Sequence, residues 1–199
     1  TLMISKQLKF MKNKKIGFEK EQIEYTDIRG FDKYDELKEE LLKNPEVESV
    51  SATMALPHRI MYSMSGSVWE GKPEDDTFLV NYNIVNYDFI ETFEIEMAEG
   101  RSFSEEFSDE TNFGFGLNQE AIRQMGLVDP IDTKFSAWGM EGKIIGVMKD
   151  FHFKSLHDPI EPMLFLLIKE YAETLVVRIN GADTENTISY LEPTLTKLD

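Results

Sequence analysis

The chain has 199 residues, of which 41% are hydrophobic and 29% charged, and its formal net charge is −16. This composition is typical of a folded globular protein with a substantial core and differs from that of a disordered chain. The negative charge argues against nucleic acid as a main partner, because phosphate binding needs clustered Lys and Arg. The absence of cysteine excludes disulfides, thiol nucleophiles and thiolate metal sites.

No apolar run approaches the roughly 18 residues that a membrane-spanning helix needs, and residues 1–7 lack the features of a signal peptide. The charge is unevenly distributed along the chain. Residues 1–20 contain six Lys and one Glu and carry +5, which leaves −21 for the remainder. A basic end on an acidic body indicates either a surface for anionic lipid headgroups or a solvated terminal helix.

The first part of the chain predicts a strand, a helix and a second strand in succession. Residues 23–28 and 47–55 have strand patterns. Residues 31–43 place apolar side chains on one helical face, and Pro45 ends this helix because a residue before proline avoids the α region. We therefore predict a βαβ or split βαβ unit. Before it, residues 4–11 predict a short helix that needs packing for stability.

The composition changes at Pro57, after which residues 58–71 are rich in Ser, Met and aromatic residues. The patterns that follow predict a strand at 78–85, a short helix capped by Asp88, a strand at 113–117 and a helix from Asn118 to Met125. Gly126 is the expected stop signal of the last of these helices. We predict that residues 57–131 form an insert, or second subdomain, within the first.

The most strongly patterned stretch is residues 142–168, GKIIGVMKDFHFKSLHDPIEPMLFLLI. Its opening and closing apolar runs predict two core strands joined by a proline-bearing connection. Residues 174–180 predict another strand, and a helix is expected from about Asp183. Pro193 kinks or divides that helix, because an interior proline costs about 3 kcal/mol. Its apolar residues at helical spacing are Ile188, Leu191, Leu195 and Leu198.

The segment "IIGVMKDFHFKSLHDPIEPM" resembles the most recognisable part of the MacB-like periplasmic core domain. That domain lies between the first two membrane helices of FtsX-like ABC transporter permeases. Four other segments agree with the family in the same order along the chain: "QLKFMKNKKIGFEKEQI", "LKEELLKNPEVESVSA", "FIETFEIEMAEGRSFS" and "GLNQEAIRQMGLVDPI". The resemblance covers most of the chain, and the ordered set is more specific than any one segment.

This resemblance implies an α+β fold in two subdomains. Residues 1–56 and 132–199 would form a porter-like subdomain that contains the βαβ unit, with residues 1–20 as a membrane-proximal stalk helix. Residues 57–131 would form an inserted, sabre-like α/β subdomain. Family members usually continue after the last helix into a further strand and the second membrane helix, whereas this sequence stops at Asp199.

The resemblance also implies a location and a set of partners. The chain would lie on the periplasmic side of the inner (cytoplasmic) membrane and transmit ATP-driven motion of the membrane helices to a periplasmic substrate or protein. Its partners would be the rest of its own permease, a cytoplasmic ATPase subunit and a second permease copy. The output would be export, lipoprotein handling or regulation of an envelope enzyme. The domain is not an enzyme in that family, so we predict no catalytic, metal-binding or cofactor-binding residue.

One alternative from the residues themselves is a metal-dependent hydrolase. Asp150, His152, His157 and Asp158 place two His and two Asp within nine residues, and these side chains could ligate Zn²⁺ or Mn²⁺. Their spacing differs from that of a zinc site with His at i and i+4 of a helix. The segment predicts strand and loop, so the four side chains need not converge.

Another alternative is a ligand-binding or sensor domain that uses the Met- and aromatic-rich part of the insert. Met61 and Met64 have flexible, polarizable side chains of the kind found on adaptable binding surfaces. The neighbouring serines and His58 lack a G-x-S-x-G elbow, which argues against a serine hydrolase. The acidic run at 105–110 lacks the order of an EF-hand loop and predicts a solvated face.

Overall fold

The computed structural model describes residues 22–28, 34–107, 113–154 and 158–180, together with 187, 189–191 and 193. The strands are β1 (Ile23–Asp27), β2 (Val47–Thr53), β3 (Ser63–Met64), β4 (Val68–Trp69), β5 (Val80–Val85), β6 (Met97–Gly100), β7 (Phe113–Asn118), β8 (Lys134–Ala137), β9 (Met140–Met148), β10 (Met163–Leu167) and β11 (Thr174–Ile179). The helices are α1 (Tyr34–Leu41), α2 (Phe89–Thr92) and α3 (Gln119–Met125). No helix in the described ranges is both long and apolar enough to cross a bilayer.

The strands of the described chain join into one mixed sheet. Its main path runs β1-β11-β2-β5-β10-β7-β9-β8-β4, with β3 added beside β5 and β6 added beside β9. The pairs β5–β10 and β7–β9 are parallel, and the other pairs are antiparallel. A large mixed sheet with few helices confirms the α+β class.

Both faces of the sheet are covered at β10, which explains why this strand is apolar throughout. Along a strand, successive side chains point to opposite faces. Met163 and Phe165 enter one core, whereas Leu164 and Leu166 enter another. All four of these side chains are buried, and Leu167 is half-buried, so Met163 to Leu166 include no solvent-facing position at which a polar residue would be favoured.

The described hydrophobic residues form three clusters, which we name after the helices that cover them. The α2 core lies on one face and includes Phe89, Phe151 and Phe165. On the other face, the α3 core contains side chains of β5, β7 and β10 together with those of α3. The α1 core, also on that face, contains side chains of β2, β11 and α1.

The helices α1 and α3 confirm the patterns that predict them. Tyr34, Leu37 and Leu41 are buried on one side of α1. The Asn118 side chain caps α3 by accepting a hydrogen bond from the backbone N–H of Ala121 at 3.0 Å. Gly126 ends this helix in the left-handed region, with φ of 70°, which costs glycine little because it has no Cβ.

The expectation that the side chain of Asp88 caps α2 is wrong. Asp88 precedes the helix, but its backbone is left-handed (φ 62°) and its side chain makes no capping hydrogen bond. A capping residue normally has an extended backbone that directs its oxygen to the first N–H groups of the helix. Here the Asp88 carboxylate instead forms an ion pair with Lys38 of α1 at 2.5 Å.

The predicted insert, residues 57–131, shares its sheet with strands from outside it. β8 pairs with β4, β9 pairs with β7, and β10 pairs with β5. The division of the chain into 1–56 with 132–199 and an inserted 57–131 therefore stays a prediction, and it cuts across continuous hydrogen-bonded ladders.

The last predicted elements are only partly within the described residues. Residues 174–179 form β11, as the pattern predicts. Thr187, 189–191 and Pro193 are helical, and Leu191 is buried in the α1 core. The predicted stalk at 1–20 and the start of the last helix near Asp183 lie outside the described residues.

Candidate functional site

The structure describes three of the four residues that could ligate a metal ion: Asp150, His152 and Asp158. The Asp150 carboxylate accepts a hydrogen bond from the backbone N–H of Glu120 at 2.8 Å, at the start of α3. His152 is half-buried, Asp158 is exposed, and His157 lies outside the described residues. Within the described ranges, no group of three or more His, Asp or Glu side chains is placed to hold a metal ion. This part of the chain gives the hydrolase hypothesis no support.

The environment of Asp150 has a structural explanation. Burial raises the pKa of Asp150, and the hydrogen bond from the Glu120 backbone partly offsets that rise. The neighbouring Phe151 and Phe153 are buried in the α2 core, with ring centroids 5.9 Å apart. The polar and aromatic residues that alternate here therefore anchor the segment to α3 and to the α2 core.

A buried asparagine joins this segment to the sheet. Asn118 is completely buried. Besides capping α3, its Oδ1 accepts a hydrogen bond from the backbone N–H of Met163 at 2.8 Å. Its Nδ2 donates to the backbone carbonyl of Glu161 at 3.0 Å. One side chain thus holds α3, the end of the connection and the start of β10, and we call this arrangement the Asn118 joint.

The Glu161 side chain adds a second link at this joint. It accepts a hydrogen bond from Nδ2 of Asn81 on β5 at 2.8 Å and pairs with the ammonium of Lys154. The hydrogen bond from Lys154 lowers the pKa of Glu161. The sequence pattern predicts the cap made by Asn118 but neither its bond to Glu161 nor the bond between Glu161 and Asn81, because these partners are 43 and 80 residues apart along the chain.

The Met-rich surface predicted from the sequence divides into an exposed and a buried part. Met61 is 86% exposed, as a binding surface requires, whereas Met64 is 7% exposed and belongs to the α3 core. The reason is the pairing of β3 with β5, which sets Met64 opposite Val80 on the covered face of the sheet. Met64 is therefore a core residue, and its assignment to the surface is wrong.

Tyr62, the residue after Met61, belongs to a group of aromatic side chains that are partly exposed. Tyr82 lies between Tyr62, at 5.9 Å between ring centroids, and Trp138, at 4.6 Å with the rings edge to face. Tyr62 is 49% and Trp138 48% exposed. We call Tyr62, Tyr82 and Trp138 the aromatic surface. Tyrosine and tryptophan are enriched in protein interfaces, since they combine a large apolar area with a polar atom.

Trp138 occupies an unusual backbone conformation. It and Gly139 form the tight turn between β8 and β9, with φ values of 51° and 76°. Consecutive left-handed residues are typical of two-residue hairpin turns, which usually place Asn or Asp at the first position. A bulky residue there is sterically unfavourable. The turn therefore holds an indole ring outward at some conformational cost, a pattern common at functional positions.

The sheet is weakly connected between β2 and β5. Only Thr53 and Val85 are registered partners between these two strands, both of which are fully described. The adjacent β5–β10 ladder registers five residue pairs. Two backbone hydrogen bonds flank the β2–β5 pair, from Met54 to Ile84 at 2.7 Å and from Asn86 to Ala52 at 2.8 Å. We call this junction the seam.

Side chains continue the hydrogen bonding where the backbone ladder stops. Asn83 accepts from the backbone N–H of Ala55 at 3.1 Å and donates to the carbonyl of the same residue at 2.8 Å. Its amide therefore replaces the peptide group of a paired strand. The Thr53 hydroxyl shares its one proton between two carbonyls, that of nearby Ala55 at 2.9 Å and, across the seam, that of Ile84 at 3.2 Å. Ser51 donates to the carbonyl of Tyr87 at 2.7 Å.

No family profile and no curated protein sequence matches the chain. Solved structures do. The periplasmic region of MacB from Actinobacillus actinomycetemcomitans is 17% identical, with a TM-score of 0.58 over 92% of this chain and 84% of that one. The extracellular domain of the noncanonic ABC-type transporter YknZ from Gram-positive bacteria is 14% identical, with a TM-score of 0.56 over 82% and 80%.

A domain of a protein described as a permease from Porphyromonas gingivalis is 16% identical, with a TM-score of 0.53 over 77% of this chain and 71% of that one. All three similarities extend over most of both chains, so they concern the whole sheet rather than one motif. The sequence resemblance to the MacB-like domain is confirmed at the level of architecture. The chain has the fold of the periplasmic or extracellular domains of MacB-like ABC transporter permeases.

Proposed function

We propose that this chain is the extracytoplasmic domain of an ABC transporter permease. The observation that carries the proposal is the fold shared with the MacB periplasmic region over 92% of the chain. The ordered sequence segments described above resemble the same family. On this proposal the domain lies on the periplasmic side of the inner membrane and relays ATP-driven motion of the membrane helices.

The proposed partners are those of a permease. They are the membrane helices of the same polypeptide, a cytoplasmic ATPase subunit, a second permease copy and a periplasmic substrate or protein. The role is mechanical, and the proposal assigns no residue a catalytic step. Asp150, one of the residues in the alternative hydrolase hypothesis, accepts a hydrogen bond from the backbone at the start of α3, which is a structural role.

The aromatic surface supports the contact with a periplasmic partner. Tyr62 and Trp138 are each about half exposed, although aromatic side chains of this size are usually more deeply buried. This observation also favours the sensor alternative, in which the same surface binds a ligand. In both cases the relevant residues are Tyr62, Tyr82 and Trp138, with exposed Met61 preceding Tyr62 in the chain, and Met64 takes no part.

Location is tested on the full-length protein in its own membrane. The 199 residues contain no cysteine, and Val128 is 88% exposed, so Val128→Cys provides a single thiol within the domain. We expect a membrane-impermeant maleimide to label it in intact spheroplasts. Replacing buried Leu117 with Cys provides a matched control that should resist labelling in the folded protein. Labelling of Val128→Cys only after lysis would overturn the proposal.

The ATPase partner is tested by purification of the full-length protein in mild detergent. We expect a nucleotide-binding subunit to be retained, and its ATPase activity to change on removal of residues 22–193 from the permease. An assembly without any nucleotide-binding subunit contradicts the permease role, whatever the result of the labelling experiment.

A further inference from the structure

The two faces of the sheet differ at the seam between β2 and β5. On one face the α2 core is continuous across it, since Val176 of β11 and Phe165 of β10 belong to the same cluster. On the opposite face the apolar residues separate into the α1 core on one side of the seam and the α3 core on the other. The two halves of the sheet are therefore held together by a shared core on one face and can separate on the other face.

The backbone at the seam is the shortest connection along the main path between β11 and β9. One registered residue pair joins β2 to β5, whereas the ladders on either side are several pairs long. Two backbone hydrogen bonds flank that pair, and the other links are hydrogen bonds between the side chains of Ser51, Thr53 and Asn83 and backbone groups. Such bonds can break without disrupting a ladder inside either half, because each involves a terminal side-chain group.

Helix α2 provides the element about which the halves can turn. It follows β5 directly, and its last residue, Thr92, accepts a hydrogen bond at its carbonyl from buried Arg178 of β11 at 2.7 Å. Asp88, just before the helix, is paired with Lys38 of α1. The helix is therefore fixed to the β1-β11-β2 half while its apolar side chains pack in the α2 core against β10.

We propose that the seam is a hinge between two rigid bodies. One body is built on β1, β11, β2 and α1, and the other on the strands from β5 to β4 with α3. They rotate about the α2 core, and the Asn83–Ala55 hydrogen bonds hold the closed position. Rotation of packed bodies about a small number of residues is an established form of conformational switching. The purpose of this motion, relay of a membrane signal, rests on the proposed function; the motion itself does not.

Spin labels measure the rotation directly in the 199-residue chain. Leu42, Val128 and Val68 are 42%, 88% and 57% exposed, so labelled cysteines at these positions disturb no core. Leu42 belongs to the first body, and Val68 and Val128 belong to the second. We expect the Leu42→Cys/Val128→Cys pair to give a broad or two-peaked distance distribution, and the control pair Val68→Cys/Val128→Cys a single narrow peak. Equally narrow distributions for both pairs overturn the hinge.

Hydrogen exchange after removal of the Asn83 amide tests its part in closure. In Asn83→Ala, we expect exchange of the Met54 and Asn86 amides to accelerate about tenfold or more. Neither amide bonds to the Asn83 side chain, so acceleration reports opening of the seam rather than loss of a direct partner. The amide of Ile179, which bonds to Gln22 inside the first body at 2.9 Å, should remain protected.

The matched control is Asn118→Ala, which removes a buried amide inside the second body. We expect it to accelerate exchange of the Met54 and Asn86 amides no more than that of Ile179. If Asn83→Ala does not fold, Thr53→Val removes a seam hydroxyl with little change of shape and should give the same selective acceleration. Uniform acceleration of all amides, or none at the seam, overturns the hinge. Either result leaves the permease proposal standing, whereas a cytoplasmic location overturns only that proposal.

Discussion

The Asn118 joint and the seam use the same chemistry for opposite purposes. Each has a buried asparagine that bonds to backbone groups distant in sequence. At the joint, the asparagine reinforces strands that are already paired, because β10 lies in ladders with both β5 and β7. At the seam, the asparagine replaces a ladder that has ended. A buried amide is therefore held rigidly or can be released, according to the backbone pairing around it.

The largest effect is expected at the joint. Asn118→Leu has a similar volume but leaves the N–H groups of Ala121 and Met163 and the carbonyl of Glu161 without their partner. We expect a loss of about 3 kcal/mol or more in the free energy of unfolding, since each buried unsatisfied group costs about 1–3 kcal/mol. Urea denaturation measures it. Asn118→Asp keeps the acceptor and should lose less; equal losses would contradict this explanation.

The second effect is expected at the seam. Asn83→Ala removes two hydrogen bonds to Ala55, and we expect a loss of about 2 kcal/mol. This loss is smaller than at the joint because opening of the seam can admit water to the exposed groups. Urea denaturation again measures it, and Asn83→Asp, which retains only the acceptor, is the control. A loss as large as that of Asn118→Leu would mean that the seam is as rigid as the joint.

A third prediction uses pH to distinguish Glu161, at the joint, from Asp150, which bonds to the start of α3. Glu161 has a lowered pKa in the folded protein, mainly through Lys154, so its stabilising contribution is complete above the unfolded value of 4.5. This contribution is lost as the pH falls below that value. In Glu161→Gln, we expect the free energy of unfolding to fall less on acidification than in the unchanged protein. The difference should be less than about 1 kcal/mol, because the Lys154–Glu161 pair is partly exposed.

Asp150 provides the opposite sign in the same experiment. Its folded pKa is raised by burial, so its neutral form favours folding, and this contribution decreases as the pH rises through the folded pKa. We expect Asp150→Asn to flatten the pH dependence in the direction opposite to Glu161→Gln. Denaturation midpoints between pH 3 and pH 7 check both; parallel curves for the two variants would show that the assignment is wrong.

The smallest effect on stability is expected at the aromatic surface. Trp138→Ala removes an edge contact with Tyr82, and we expect a loss of about 0.5 kcal/mol because the indole is half exposed. Relief of the left-handed backbone does not occur, since alanine is also disfavoured there. Thermal denaturation measures this loss. A loss above 2 kcal/mol would show that Trp138 is part of the core rather than of a contact surface.

The sequence predicts elements better than it predicts their neighbours. Tyr34, Leu37 and Leu41 follow helical spacing, and Asn118 caps α3 as a local pattern indicates. Local patterns do not contain the sheet order, which places β5 between β2 and β10. For that reason the burial of Met64 is missed.

The roles of Asp88 and Asn83 are missed for the same physical reason. The partners are Lys38, 50 residues away, and Ala55, 28 residues away. Two asparagines within one short strand, Asn81 and Asn83, run against strand propensity. Such a conflict between residue type and element is the signal that would have directed attention to β5, because asparagine survives in a buried strand only where its amide is satisfied.

The exposure of the Trp138 indole at its turn has a consequence for fluorescence. The chain contains two tryptophans, and Trp69 is 4% exposed whereas Trp138 is 48% exposed. Iodide in solution can collide with the second indole but not with the first, so the steady-state emission separates into a quenchable, red-shifted component and a protected, blue-shifted one. Unfolding, which exposes both indoles, and occupancy of the turn, which shields only one, therefore alter the same spectrum in distinguishable ways.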